Sequence, residues 1–156
     1  LPILLASEKE LPQYSPLLNP TAKRLAHYFW PGALTIVLEK NEFICDSATG
    51  GFATAGFRVP ADRVARTICQ LTGGAVTGTS ANKTGHPAAT SASEALSQLG
   101  DSPLELILDG GSTLSNTAST VIDCTNDVPI ILRRGAISVS SLEEVLGKEV
   151  KFNEGS

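Results

Sequence analysis

Methionine is absent from the 156 residues, tryptophan occurs once, histidine twice and cysteine three times. Each scarcity closes off a class of chemistry. Cys45, Cys69 and Cys124 are widely spaced and odd in number, so they form neither the paired spacing of a zinc knuckle nor a disulfide framework. They are expected as small, buried or half-buried apolar residues. No apolar run reaches the roughly 18 residues that a membrane-spanning helix needs. Residues 1–6 are apolar, but they lack the basic flank and the length of a signal peptide. A soluble, cytoplasmic protein is the expectation, with no membrane partner. Positive charge is also scarce: 12 Lys and Arg against 16 Asp and Glu leave a net charge of -4. That is the wrong sign for gripping long nucleic acid by phosphate neutralisation. Because translation begins on Met, a chain opening on Leu1 is expected to be preceded by further sequence.

What is present is 42% hydrophobic and 18% charged, enough apolar surface to offset the entropy of ordering. The length suits one ordinary domain. No internal repeat or Pro/Gly/Ser linker divides it, so residues 1–150 read as one domain and 151–156 as a polar tail. Asn19-Pro20 is a helix-start signal for a face of Leu18, Ala22, Leu25 and Phe29, and Trp30-Pro31-Gly32 ends that helix. Strands are expected at Leu34–Glu39, 56–59, 75–78, 104–108, Thr120–Asp123 and 129–132. Asp62 is a candidate N-cap for a helix with Val64, Ala65, Ile68 and Leu71 on one face. The pairs Ser91 with Glu94 and Ser141 with Glu144 have the spacing of capping boxes that open two more helices. Strands and helices intermix without strict alternation. The pattern predicts an α/β or α+β-like architecture, a mixed sheet with flanking helices.

Two motif matches fail on context. Residues 73–80 have the glycine spacing of a phosphate-binding P-loop, but Thr79 stands where the Lys belongs and the glycines follow a helix. Gly78-Thr79-Ser80-Ala81-Asn82 approaches a nucleophile elbow, but only His27 and His86 exist to activate Ser80, and neither is placed to do so. These are expected as a helix-surface and a turn histidine. What remains is a supply of donors. Thr79, Ser80, Asn82, Lys83 and Thr84 lie in one loop, and Ser115, Asn116, Thr117, Ser119 and Thr120 in a second. Arg58 and Arg133 stand at strand ends. Such groups suit an anionic, oxygen-rich ligand. On the residues alone, an equally good reading is that the loops satisfy their own turns and the arginines are solvated.

Five blocks then occur in order: Trp30-Pro31-Gly32-Ala33-Leu34-Thr35, Gly56-Phe57-Arg58-Val59-Pro60, Thr79-Ser80-Ala81-Asn82-Lys83-Thr84-Gly85, Ser119-Thr120-Val121-Ile122-Asp123 and Leu132-Arg133-Arg134-Gly135. Together they resemble the YrdC-like threonylcarbamoyl-AMP synthases. The resemblance implies a twisted mixed sheet around a large concave cavity. It also implies an enzyme that joins L-threonine, bicarbonate and ATP with release of pyrophosphate, for threonylcarbamoyl modification of tRNA adenosine 37. On this resemblance Thr54, Ser80, Asn82, Ala88 and Arg133 contact ATP, with Mg²⁺ accompanying the phosphates. Arg58, Gly78 and Ser119 contact threonine, Gly78 through its backbone. Catalysis would rest on positioning and electrostatics, which agrees with the absence of a nucleophile. Downstream threonylcarbamoyl-transfer proteins are the implied partners, with tRNA a weaker one.

The chain departs from the family pattern at three places. Asn116 stands where many relatives have Gly, and Ala88 replaces a common Ser, leaving a backbone contact at most. The family's first strand, its Thr-x-x-Tyr-Gly-Leu segment and its Lys-x-Arg signature are expected upstream of Leu1. Two other readings fit less well. A carbamoyl-adenylating domain of the hydrogenase-maturation type would come with acylphosphatase and zinc-finger segments. A non-catalytic RNA-binding or ribosome-maturation module is opposed by the acidic balance.

Overall fold

A computed structural model describes residues 1–113 and 117–152. In chain order the strands are β1 Pro2–Leu5, β2 Leu34–Glu39, β3 Thr54–Arg58, β4 Ala75–Thr77, β5 Thr120–Asp123, β6 Ile130–Arg133 and β7 Lys151–Phe152. The helices are α1 Leu11–Tyr14, α2 Pro20–Phe29, α3 Asp46–Thr49, α4 Arg63–Leu71, α5 Ala92–Leu99 and α6 Val139–Leu146. Among the described residues the strands make one mixed sheet of order β4-β1-β3-β2-β5-β6-β7. Three of its neighbour pairs are parallel, β1 with β3, β2 with β5 and β6 with β7. The expected mixed sheet with flanking helices is therefore what the chain forms.

The chain divides into two compact units, Leu1–Gly78 with Ala118–Ser156, and Thr79–Thr117. The first holds the whole sheet. Strand alternation sends Leu34, Ile36 and Leu38 of β2, Ala55 and Phe57 of β3 and Ile122 of β5 to one face, where all are buried. Ala22, Leu25 and Ala26 of α2 and Leu142 of α6 join them in one core cluster. On the opposite face Thr54, Gly56 and Arg58 alternate as half-buried residues along β3. That face carries the polar groups.

Local signals explain most elements. Asn19 caps α2 by accepting from Ala22 N at 2.8 Å, and Asp62 caps α4 by accepting from Ala65 N at 2.8 Å. Trp30 closes α2, and its indole Nε1 donates to Leu34 O at 2.7 Å, tying the helix end to β2. A Cβ on Gly32 would meet Phe29 O at 2.2 Å, so only glycine fits that corner.

Several expectations need correction. Residues 104–108 alternate like a strand but adopt none, because they pair with no neighbouring strand. The strand expected at 56–59 begins earlier, at Thr54, and the strand expected at 129–132 runs over Ile130–Arg133. The cap of α6 is Ser138 rather than Ser141: Ser138 Oγ accepts from Ser141 N at 3.1 Å. Lys151 and Phe152 are not tail but strand, pairing with Ile130 and Ile131, and the Arg134 guanidinium lies 4.4 Å over the Phe152 ring. In α4 the buried residue is Cys69, while Val64 and Leu71 are exposed. Cys124 is buried as well, but Cys45 is exposed at the start of α3.

The second unit, Thr79–Thr117, is built differently. Ser91 caps α5 by accepting from Glu94 N at 3.2 Å, and Glu94 Oε2 accepts from both N (2.8 Å) and Oγ1 (2.9 Å) of Thr90. No residue of α5 is buried. Within this unit a cavity of about 320 Å³ is lined by α5 and residues 104–113, including Ala95, Leu99, Leu104 and Leu108.

Candidate anion site

In the sheet unit, one residue beyond the Ile36–Phe57 pair lie Thr35 and Arg58 on adjacent strands. On the other side of β2, Thr35 pairs with Val121, and Val121 pairs with Arg133. The register therefore lines up Arg58, Thr35, Val121 and Arg133 across four strands, with Ser119 just ahead of β5. Arg58, half-buried, donates from Nε to Gly32 O at 2.8 Å. Arg133 donates from Nε and Nη2 to Ser119 O at 3.1 and 2.9 Å and from Nη2 to Ser119 Oγ at 3.0 Å. The Ser119 and Thr35 hydroxyls meet at 2.9 Å, both buried.

Neither guanidinium has a carboxylate partner: among the described residues the ion pairs are Lys40–Asp46 and Lys83–Asp101. Burial first, and the neighbouring Arg133 charge second, lower the Arg58 pKa from its ordinary value. An arginine still stays charged at neutral pH, so the sheet end holds two neighbouring cations with no carboxylate counter-ion among the described residues. An anion bound there would remove the mutual repulsion and complete the donors of Arg58, whose Nη groups have no hydrogen-bond partner among the described residues.

Backbone clearance shapes this corner. A Cβ on Gly135 would stand 2.4 Å from Ala118 O, Ser119 C and Thr120 N alike. Thr120 Oγ1 accepts from Ile137 N at 3.0 Å and donates to Ile137 O at 2.7 Å, clasping the segment after Gly135 against the start of β5. A cavity of about 190 Å³ behind this clasp is lined by Thr120, Ile131, Arg134, Gly135, Ile137, Ser138 and Val139.

The other expected residues fall elsewhere. Thr54 shares the face of Arg58 but sits at the opposite end of β3, about 13 Å away at the usual strand rise. Gly78 donates its N–H to Pro2 O at 2.8 Å, which leaves its carbonyl as the backbone group a ligand could use. Ser80, Asn82 and Ala88 belong to the second unit. There the Ser80 hydroxyl donates to Asn82 Oδ1, and Asn82 Nδ2 donates to Lys83 O (3.0 Å) and His86 O (2.7 Å). Ala81 between them has φ 51, a left-handed conformation that costs roughly 1–2 kcal/mol for a residue with a Cβ. Ala88 is exposed, as are His27 and His86. Ser115 and Asn116 lie outside the described residues.

Three residues have structural roles that the sequence did not assign to them. Gln98 accepts from Lys83 N at 3.2 Å and donates to Pro87 O at 3.2 Å, bracing the Ser80–Asn82 loop from α5. Its place one turn after Glu94 was the available signal. Thr35 and Gly135 lie in two of the blocks that carry the family resemblance, but they act through neighbours far away in sequence, so no local pattern marks those roles.

A mixed sheet that gathers two arginines without carboxylate partners among the described residues, and buried hydroxyls, at one end defines an α/β protein with a candidate anion site, and comparison narrows the class. The family model for Sua5, YciO and YrdC proteins, described as telomere recombination, matches residues 1–135. The threonylcarbamoyl-AMP synthase of Pyrococcus abyssi is 36% identical over 146 residues, covering 94% of this chain and 43% of that protein. That of Bacillus subtilis is 36% identical over 127 residues, 81% of this chain and 36% of that protein. The structure of P. abyssi Sua5 complexed with L-threonine has a TM-score of 0.90 at 36% identity, over 97% of this chain and 44% of that one. The chain belongs to the Sua5–YciO–YrdC family, and it spans less than half the length of these relatives.

Proposed function

We propose that the chain carries threonine- and nucleotide-holding parts of a threonylcarbamoyl-AMP synthase. The observation that carries this reading is the pair of neighbouring arginines at one end of the sheet, Arg58 beside Thr35 and Arg133 on the buried Ser119 hydroxyl, with no carboxylate partner among the described residues. Arg58 offers its free guanidinium edge to the threonine carboxylate, Ser119 adds a hydroxyl and Gly78 its backbone. Arg133 faces the nucleotide, with Thr54, Ser80, Asn82 and the backbone of Ala88 as further ATP contacts.

The threonine nitrogen attacks the bicarbonate carbon, and the carbamate forms with loss of water. A carbamate oxygen then attacks the α-phosphorus of ATP, and the bond to pyrophosphate breaks. No side chain need become covalently attached. The chain supplies orientation and fixed positive charge where negative charge gathers. A Mg²⁺ carried by the nucleotide would help neutralise its phosphates. The product would pass to proteins that transfer the threonylcarbamoyl group to adenosine 37 of tRNA. Among the described residues no helix is long and apolar enough to cross a membrane.

Incubation with ATP, bicarbonate and labelled threonine tests the reading through threonylcarbamoyl-AMP and pyrophosphate; formation of neither would sink it. Arg58→Ala should weaken threonine binding about 10- to 100-fold and ATP binding only about twofold. Equal losses for both ligands would contradict the assignment of Arg58. Arg58→Lys should recover little, because an ammonium cannot match a carboxylate bidentately.

A further inference from the structure

Two hydrogen-bonding groups converge on the Ser119 hydroxyl oxygen, Arg133 Nη2 at 3.0 Å and Thr35 Oγ1 at 2.9 Å. A serine hydroxyl has one proton and two lone pairs. Arginine only donates, so it fills one lone pair. The two hydroxyls share one hydrogen bond that either could donate, so one of their two protons is left without an acceptor among the described residues. Thr35 is 5% exposed with no other partner there, whereas Ser119 is the hydroxyl the proposed function turns to the ligand, so the arrangement that a bound acceptor completes is the one in which Thr35 donates. That fills the second lone pair. The Ser119 proton then has no acceptor among the described residues.

Thr35 is itself held in place. Its Cγ2 lies 3.0 Å from where a Cβ on Gly56 would stand, so the bare backbone of Gly56 makes the room for its methyl group. Leu34 and Ile36 on either side are completely buried, which fixes the strand that carries it.

We propose that Thr35 is a positioning residue that fixes Ser119 as a hydrogen-bond donor, so that the candidate site at Arg58 and Ser119 selects the acceptor-only carboxylate of its amino-acid substrate. This rests on the reading above, in which Arg58 and Ser119 hold threonine. With its lone pairs filled, Ser119 repels a ligand group that can only donate, and it adds a neutral donor to the charged fork of Arg58.

Calorimetric titration of the protein with L-threonine, and separately with ATP, tests this. Thr35→Val keeps the shape and removes the donor; it should weaken threonine binding about 5- to 30-fold and change ATP binding by less than about twofold. Thr35→Ser, which restores the donor, should bind threonine within about twofold of the wild type. The Thr35→Val/Ser119→Ala double variant should bind no more weakly than Ser119→Ala alone, since Thr35 acts through that hydroxyl. If Thr35→Val does not fold, Thr35→Cys supplies the same comparison with a weak donor. Wild-type affinity in Thr35→Val or Thr35→Cys, additive losses in the double variant, or equal losses for threonine and ATP would overturn the proposal and leave the functional reading standing. Absence of threonine binding by the wild type would overturn both.

Discussion

Every fully buried apolar side chain among the described residues belongs to the sheet unit; Thr79–Thr117 contributes none. The first region is held by packing, with Phe57, Leu34, Ile36 and Ile122 at zero exposure around β2 and β3. The second is held by side chains that reach back to the backbone: Asn82 to Lys83 and His86, Glu94 to Thr90, Gln98 to Lys83 and Pro87. Packing is costly to disturb, because a cavity remains when an atom is removed. An exposed hydrogen bond is cheap to break, because water replaces it. The contrast places Arg58, Ser119 and Arg133 on a stiff frame, and Ser80 and Asn82 in a loop that can open locally.

Phe57→Ala offers the strongest test of that division. It should lower the unfolding free energy by about 3–5 kcal/mol in a denaturant melt. A loss below about 1 kcal/mol would show that the sheet is not the packed frame described here. Asn82→Ala should act in the opposite manner. The melt should shift by less than about 1 kcal/mol, while the amide of His86, bonded to Lys83 O at 3.0 Å, exchanges at least about tenfold faster. A large global destabilisation would mean that the loop belongs to the cooperative core.

The smallest effect, with no change in stability, concerns the thiols. A hydrogen bond from Ser47, then one from the Ala48 backbone, lowers the Cys45 pKa, whereas burial raises Cys69 and pushes Cys124 up to about 12. Thiolate is the reactive form and its share grows as pH passes the pKa, so iodoacetamide at pH near 8 should label Cys45 alone. Labelling of all three in the native protein would break the comparison from the packed side.

Local chemistry made much of the fold legible. Asn19, Asp62 and Ser91 were readable as caps because each is followed at its own helix start by the N–H it accepts. Thr-Ile-Val-Leu in β2 and Thr-Val-Ile in β5 are β-branched enough to declare strands to the residue. The failures have equally local causes. Three serines at 138, 140 and 141 compete for one cap, and the capping-box spacing favoured the wrong one. The alternation of Leu104, Leu106 and Leu108 looks like a strand, but a strand also needs a partner. Site residues were a different matter. Arg58, Ser119 and Arg133 could be singled out by resemblance, but their meeting depends on β2 lying between β3 and β5, and Thr35 lies 84 residues from Ser119 in sequence. Periodicity within a segment carries no record of which strands become neighbours.

The segment at Gly135 shows how a pocket can be lost without touching its chemistry. Inherited change from glycine to alanine there alters no charge and removes no donor, yet the added carbon would have to displace the backbone of residues 118–120. The Ser119 carbonyl that receives Arg133 would move with it. Variation at this position would therefore present as a binding defect with every contacting residue intact. The dimensions of the candidate anion site are set by a methyl group that is not there.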